Sequence, residues 1–232
     1  MRSLVTLALL LLALPASAAD LATAFDRIVF GSGQAWARER LIRVAAPSLR
    51  FEVYGALDAP RGALLDRHVA DLTAATGLAV SWSAATQPAP PVGRGEAALA
   101  VIQVHLVPRA AFAPLLEQSW IPAGTRASHA RAMCAFVTLG RETVLAGLVL
   151  IDSDLPAETV SHCLVEETAQ TLGAFDDTTL LDPSGFNDWG ALVERLQPAD
   201  LAILRALYDP RLAPGMARAE VLALLPVILG GD

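Results

Sequence analysis

Short stretches of alternating or continuous apolar residues predict a set of β-strands in the first two thirds of the chain. Residues 50–54 alternate polar and apolar side chains, which is typical of a half-buried strand. The continuous apolar run at 97–107 predicts a central strand, and residues 131–139 and 143–151 predict a hairpin that turns at Gly140. Shorter strands are predicted at 78–83 and near 41–44, and the proline-rich residues 87–95 predict a loop.

Apolar residues at helical spacing predict helices on both sides of these strands and throughout the last third of the chain. Residues 112–120 fit either a short helix or a loop. The predicted helices are 60–77, 159–173, 198–207 and 217–229, the last with a possible kink at Pro226. An amphipathic N-terminal segment at 20–43 has helical spacing before a break at residues 31–33 and then leads into the first strand. The pattern predicts an α+β fold in which a mixed sheet with mostly antiparallel edges packs on the 159–173 helix, followed by a helical C-terminal part.

The first 19 residues predict an export signal. Arg2 supplies a positive charge, residues 4–14 are apolar, and residues 15–19 are mostly small. The apolar run is shorter than the ~20 residues that a spanning helix needs, so we expect cleavage and no membrane span in the mature chain. The expected organisation is therefore a signal peptide at 1–19, a helical segment at 20–45 and one domain at 46–232, with a periplasmic or secreted location.

Composition narrows the classes of partner. Hydrophobic residues make up 54% of the chain, which argues against disorder, and the formal net charge of -7 repels nucleic acid and anionic membranes. We therefore expect no nucleic-acid partner. A peptide, a protein or an envelope polymer remains a possible ligand.

Two cysteines, Cys134 and Cys163, are present in a chain expected to reach an oxidising compartment. An even number favours a disulfide between the predicted hairpin and the central helix. The alternatives are two buried thiols, or a Cys163 nucleophile beside His162. Because adjacent helical residues point about 100° apart, His162 is poorly oriented to activate Cys163, and we expect the disulfide.

The central helix carries polar residues at the spacing of a metallopeptidase motif. Glu166 and Gln170 are four residues apart, Glu167 lies beside them, and Gly173 and Asp176 follow. In HExxH helices, histidines four apart bind zinc and the intervening Glu acts as general base. The longer HExxHxxGxxH form adds a glycine turn and a third ligand, so this chain keeps Glu167, Gly173 and a carboxylate at Asp176 but lacks the histidines.

Three separated blocks, HCLVEETAQTLGAFDD, PSGFND and LQPADLAILRALYDPRLAPGM, resemble the bacterial domain of unknown function family 2927, a group of exported proteins. The resemblance implies a zincin-like fold with a Glu-Glu-x-x-Gln version of the motif helix. It also implies that the turn at 184–188 lies where a turn floors the metzincin site, although that turn has no Met.

Glu166, Gln170 and Asp176 would be the vestigial metal positions in this reading. They offer only oxygen ligands, whereas zinc sites of this type favour imidazole, so we expect no zinc and no other cofactor. Glu167 would be catalytic only if activity remains. The alternative interpretation is a polar helix face with no site at all, and His162, four residues before Glu166, makes a further His-x-x-x-Glu pair that could bind metal or a neighbouring acid.

The leading functional hypothesis is a non-catalytic binding or scaffolding module of the cell envelope, that is, a pseudo-metallopeptidase. The alternative is an active hydrolase, either a peptidase with an atypical Glu/Gln/Asp metal site or a metal-free carboxylate enzyme. A third hypothesis is a structural domain that functions through another surface.

Overall fold

The computed structural model describes residues 17–86, 92 and 98–230. Most of the predicted signal peptide and most of the predicted loop at 87–95 lie outside the described residues. The described part of the signal begins at Ser17, which caps the first helix. No helix in the described ranges combines the length and apolarity of a membrane-spanning helix.

A five-stranded mixed sheet forms the centre of the described chain. Its strand order is β3-β2-β4-β7-β5, and only the β7–β5 pairing is antiparallel. The strands are β2 (Ser48–Gly55), β3 (Ala79–Ala84), β4 (Leu99–Val107), β5 (Cys134–Leu139) and β7 (Ala146–Asp152). Two further short strands, β1 (Arg43–Val44) and β6 (Thr143–Val144), pair in parallel.

The two faces of the sheet bury different hydrophobic clusters. Along β7, Val149 and Ile151 pack into the main core, whereas Leu148 and Leu150 pack into a smaller cluster with Phe112. Side chains alternate between the faces of a strand, so β7 is covered on both sides. This explains why its sequence is almost uniformly apolar.

Seven helices are described, and most of them pack on the face of the sheet that holds the main core. They are α1 (Ala18–Phe30), α2 (Ala59–Thr76), α3 (Phe112–Leu116), α4 (Ala123–His129), α5 (Ala157–Gln170), α6 (Pro198–Leu207) and α7 (Arg218–Gly230). The N-terminal helix α1 contributes Phe25, Ile28 and Phe30 to the main core. It therefore packs with the rest of the described chain.

The α+β class, the mixed sheet and the antiparallel hairpin at Gly140 are confirmed. The expectation of mostly antiparallel edges is wrong, because the β3 edge is parallel to its neighbour. Helix α4 was not predicted, since its sequence AGTRASH has no apolar helical spacing and no side-chain cap. Helix α5 begins two residues before the predicted 159–173 segment, with Pro156 at the cap position and no side-chain cap.

The predicted disulfide is confirmed. Cys134 at the start of β5 is bonded to Cys163 in α5, and their Cα atoms are 6.1 Å apart. The bond joins the central helix directly to the edge strand of the sheet. It closes a loop with a sequence separation of 29 residues.

Replacing both cysteines, as Cys134→Ala/Cys163→Ala, should lower the free energy of unfolding by ~3–4 kcal/mol, because the unfolded chain regains the entropy of the open loop. Urea unfolding of the oxidised wild type and the double variant measures this difference. A loss below about 1 kcal/mol would show that the bond does little to restrict the unfolded chain.

Candidate functional site

Helix α5 buries its polar residues as well as its apolar ones. Glu166, Glu167 and Gln170 are 2%, 6% and 4% exposed. The chain leaves the helix through Gly173, where φ is +124° and an added Cβ would lie 2.5 Å from the carbonyl oxygen of Ile42. Only glycine fits both the dihedral angle and this close approach, so the turn after α5 depends on it.

The structure does not bring the three predicted metal positions together. Asp176 turns toward the N-terminal segment, where its carboxylate accepts a hydrogen bond from Trp36 Nε1 at 2.6 Å and pairs with Arg38. The amide of Gln170 instead donates to Asp177 Oδ1 at 2.7 Å. Asp177, one residue later than predicted, is thus the carboxylate that joins the helix face.

Four carboxyl groups meet beside α5, and we call them the acidic cluster: Glu166, Glu167, Asp177 and Asp188. Glu166 interacts with each of the other three, and Glu167 interacts with Asp177 and Asp188. The sequence analysis missed Asp177 and Asp188. A signal existed for both, since Asp177 directly follows Asp176 and Asp188 ends the SGFND block.

Burial and mutual repulsion raise the pKa values of Glu166, Glu167 and Asp177 in the acidic cluster. Burial is the main cause that raises the pKa of both Glu166 and Glu167 far above the ordinary value, and the neighbouring carboxylates add to it. The pKa of Asp177 is raised to about 6, again mainly by burial and then by Asp188. The cluster therefore retains protons at neutral pH unless a cation compensates its charge.

His162 lies at the inner end of the acidic cluster. Its Nε2 is 3.5 Å from Glu166 Oε2, and burial lowers the pKa of the imidazole. Its Nδ1 is 3.1 Å from the backbone nitrogen and 3.3 Å from the backbone oxygen of Val193. The structure thus brings together His162 and Glu166, which the sequence had suggested as a pair.

The turn that carries Asp188 is held by a buried aspartate in α6. Asp200 accepts hydrogen bonds from Ser184 Oγ at 2.6 Å and from the backbone of Gly185 at 2.8 Å. Asn187 donates to the carbonyl of Leu181 at 2.7 Å. These bonds fix the turn at 184–188 next to α5, so the exposed Asp188 side chain has a defined base.

A groove runs along β5 beside the acidic cluster, and we call it the edge groove. One part, a cavity of about 300 Å³, is lined by Cys134 and Phe136 of β5 and by Glu167, Gln170, Asp177 and Asp188. A second part, of about 350 Å³, shares Phe136, Phe175 and His129 with the first and continues to Gly140. The acidic cluster therefore faces a cleft that follows the edge strand.

The outer edge of β5 presents backbone hydrogen-bonding groups to this groove. The carbonyls of Met133 and Leu139 bond inward to the chain at Asp152 and Leu145. Alternation in an antiparallel pair then directs the backbone groups of Cys134, Phe136 and Thr138 outward. His129 Nε2 lies 3.1 Å from the carbonyl oxygen of Phe136, which agrees with this direction.

A separate open depression, about 650 Å³, lies at the carboxyl ends of β4 and β7. Its buried carboxylate, Asp152, already accepts hydrogen bonds from the backbones of Arg109 and Asp154. The guanidinium of Arg109 lies 3.7 Å from it. Because this charge is already compensated, the edge groove is the candidate site.

The fold and the groove define an α+β domain with a carboxylate-lined cleft at the antiparallel edge of its sheet. The model of a family described as "Protein of unknown function (DUF2927)" matches residues 18–227. The chain belongs to this family. Comparison with curated proteins found no match.

Glu167→Gln should stabilise the folded chain increasingly as the pH rises. A carboxyl with a raised pKa binds more protons in the folded than in the unfolded state, so its contribution to stability is lost above its unfolded pKa. The gain of the variant over wild type should grow by on the order of 1 kcal/mol or more between about pH 5 and about pH 8. Chemical unfolding in the presence of a chelator measures it.

The quantity to follow is the difference in free energy of unfolding between variant and wild type, because buried histidines affect stability with pH in the opposite sense to buried carboxyl groups. Burial lowers the pKa of His68 and His105 to about 4, and their contribution is lost as the pH falls. Glu158→Gln, exposed in the first turn of the same helix, is the matched control. A Glu167→Gln difference that stays constant with pH would refute the assigned shift.

Proposed function

We propose that this protein is an exported, non-catalytic binding module of the cell envelope that holds an extended, positively charged peptide segment along β5. The observation that carries the proposal is the edge groove itself. It combines outward backbone groups of a strand with the acidic cluster on the opposite wall. Strand addition supplies affinity, and the carboxylates select a cationic side chain.

Two features support export. The first residues read as a signal peptide, and the chain carries a disulfide, which persists in oxidising compartments. An extracytoplasmic module would meet peptides and protein segments of the envelope.

A zincin-like ancestry is also part of the proposal. It is supported by a helix with Glu-Glu-x-x-Gln, by the glycine turn at Gly173 and by an antiparallel edge strand beside the helix. The residues do not fit the zinc of an HExxH-type site. Gln170 turns its amide nitrogen toward Asp177, and Asp176 is engaged by Arg38 and Trp36. Binding without cleavage is therefore the function that this geometry supports best.

The binding test uses a fluorescent extended peptide of alternating Thr and Val with one central Arg, and a twin carrying Glu instead. In a chelating buffer, the Arg peptide should bind at least about tenfold more tightly than the Glu peptide, because the groove is acidic. Fluorescence anisotropy gives both dissociation constants. Equal affinities would remove the acidic cluster from the proposal.

The contribution of the strand edge is tested at Thr138, whose backbone points outward. Thr138→Pro removes one outward N–H from an edge position where proline is tolerated, so peptide affinity should fall about tenfold. Thr138→Ala keeps the N–H and is the matched control. If both variants bind the Arg peptide like wild type, the peptide does not add to β5.

One observation favours the alternative of an active hydrolase. Glu167 lines the cleft, and burial raises the pKa of its carboxyl. The protonated side chain could therefore act as a general acid. Wild type and Glu167→Gln are each incubated with the same peptides and with peptidoglycan fragments, and mass spectrometry is used to detect products. If the protein only binds, neither form releases a product. Cleavage by wild type that is lost in Glu167→Gln would establish the hydrolase instead.

A further inference from the structure

We propose that His162, Glu166 and Asp188 form a binding site for a divalent transition-metal ion, one helical turn before the position of the metallopeptidase motif. The inference is independent of peptide binding. The ion site shares Glu166 and Asp188 with the acidic cluster that is proposed to select a cationic side chain, but it requires no bound peptide.

The three side chains already have the spacing of a metal site. One ligand atom from each lies within 4.8 Å of the other two. Ligand atoms bound to zinc at about 2.1 Å in a tetrahedral arrangement are roughly 3.4 Å apart. His162 Nε2 and Glu166 Oε2 are 3.5 Å apart, so an ion can bind both with little movement.

Two buried atoms at this position have no hydrogen-bond partner. They are His162 Nε2 and Glu166 Oε1. The two residues are 3% and 2% exposed. A buried polar atom without a partner costs about 1–3 kcal/mol. An ion bound by the Glu166 carboxylate and His162 Nε2 would give the imidazole nitrogen a partner and compensate the neighbouring carboxylates.

The backbone of Val193 provides a partner for the other imidazole nitrogen. In the metal-bound form, Nδ1–H of His162 donates to the Val193 carbonyl, which is 3.3 Å away, and the lone pair of Nε2 faces the ion. The nearby Val193 N–H, at 3.1 Å, favours the other tautomer in the metal-free form. Ion binding therefore favours the tautomer that carries its proton on Nδ1. A backbone carbonyl accepts a hydrogen bond from the second ring nitrogen in many metal-ligating histidines.

The ligand chemistry favours zinc or manganese over magnesium or calcium. An imidazole suits transition metals, and the carboxylates of Glu166 and Asp188 are common partners of both ions. Cys134 also lies near Glu166 and Glu167, but its sulfur is in the disulfide and offers no thiolate. The exposed Asp188 lines the edge groove, which gives the ion a route to the buried pair.

The experiment measures metal uptake by the oxidised, chelator-treated protein without peptide. Isothermal titration with Zn²⁺ and Mn²⁺, followed by elemental analysis, should give one ion per chain. Asp188→Asn should weaken binding by at least about tenfold, because losing a ligand costs no less than losing an outer-shell partner. Asp154→Asn, an exposed aspartate outside the cluster, is the control and should bind like wild type.

His162→Asn tests the buried ligand and should also lose the ion. Because this change can disturb folding, the second readout is the thermal unfolding midpoint, which one fixed ion concentration should raise by clearly more in wild type and Asp154→Asn than in Asp188→Asn. If His162 and Glu166 only hydrogen-bond to each other, wild type takes up no stoichiometric ion and the proposal is overturned. Uptake that Asp188→Asn and His162→Asn leave unchanged overturns it equally.

Discussion

Repulsion among buried carboxyl groups is the constraint that shapes this molecule's candidate site. Glu166 and Glu167 are buried on one helix, and Asp177 and Asp188 approach them from the two turns that follow. Taking such groups out of water is costly unless they are protonated or paired with a cation. The site therefore favours binding of a positive charge. A proton, a cationic side chain or a metal ion could supply it.

The fold holds the carboxyl groups together through contacts distant in sequence. The disulfide fixes α5 to β5, and the glycine turn at Gly173 brings the chain back past Arg43 and Ile42. Asp200 in α6 secures the turn that carries Asp188. Because Glu166 and Glu167 are buried on an anchored helix, these two carboxyl groups cannot move apart to relieve their repulsion without local unfolding. The same anchors place β5 beside the cluster, so a strand and a charged wall share one groove.

Local patterns in the sequence predicted most elements and the disulfide. The pairing of Cys134 with Cys163 followed from an even count in a chain expected to be exported, and the hairpin followed from Gly140 between two apolar runs. The parallel edge at β3 was not predictable in the same way, since pairing direction depends on how crossover helices pack. Helix α4 was missed because tertiary contacts, not an apolar face of its own, support it.

Only part of the site was predictable from the sequence. Glu166, Glu167 and Gln170 were identified from their spacing on one helix, where geometry follows from sequence. Beyond Gly173 the backbone path is set by packing against Ile42 and Arg43, and this turned Asp177 rather than Asp176 toward the helix. Asp188 comes from a turn whose position depends on Asp200, and spacing carries no information about such a contact.

The most direct measurement of the central claim is carbon-detected NMR of the glutamate and aspartate carboxyl groups in chelator-treated protein across a pH titration. The account predicts that at least one carboxyl of the acidic cluster, assigned with Glu166→Gln and Glu167→Gln, remains protonated at neutral pH. If all four carboxyl groups ionise near the ordinary pKa of about 4, the cluster needs no proton or other cation to be stable at neutral pH. That result would contradict the account.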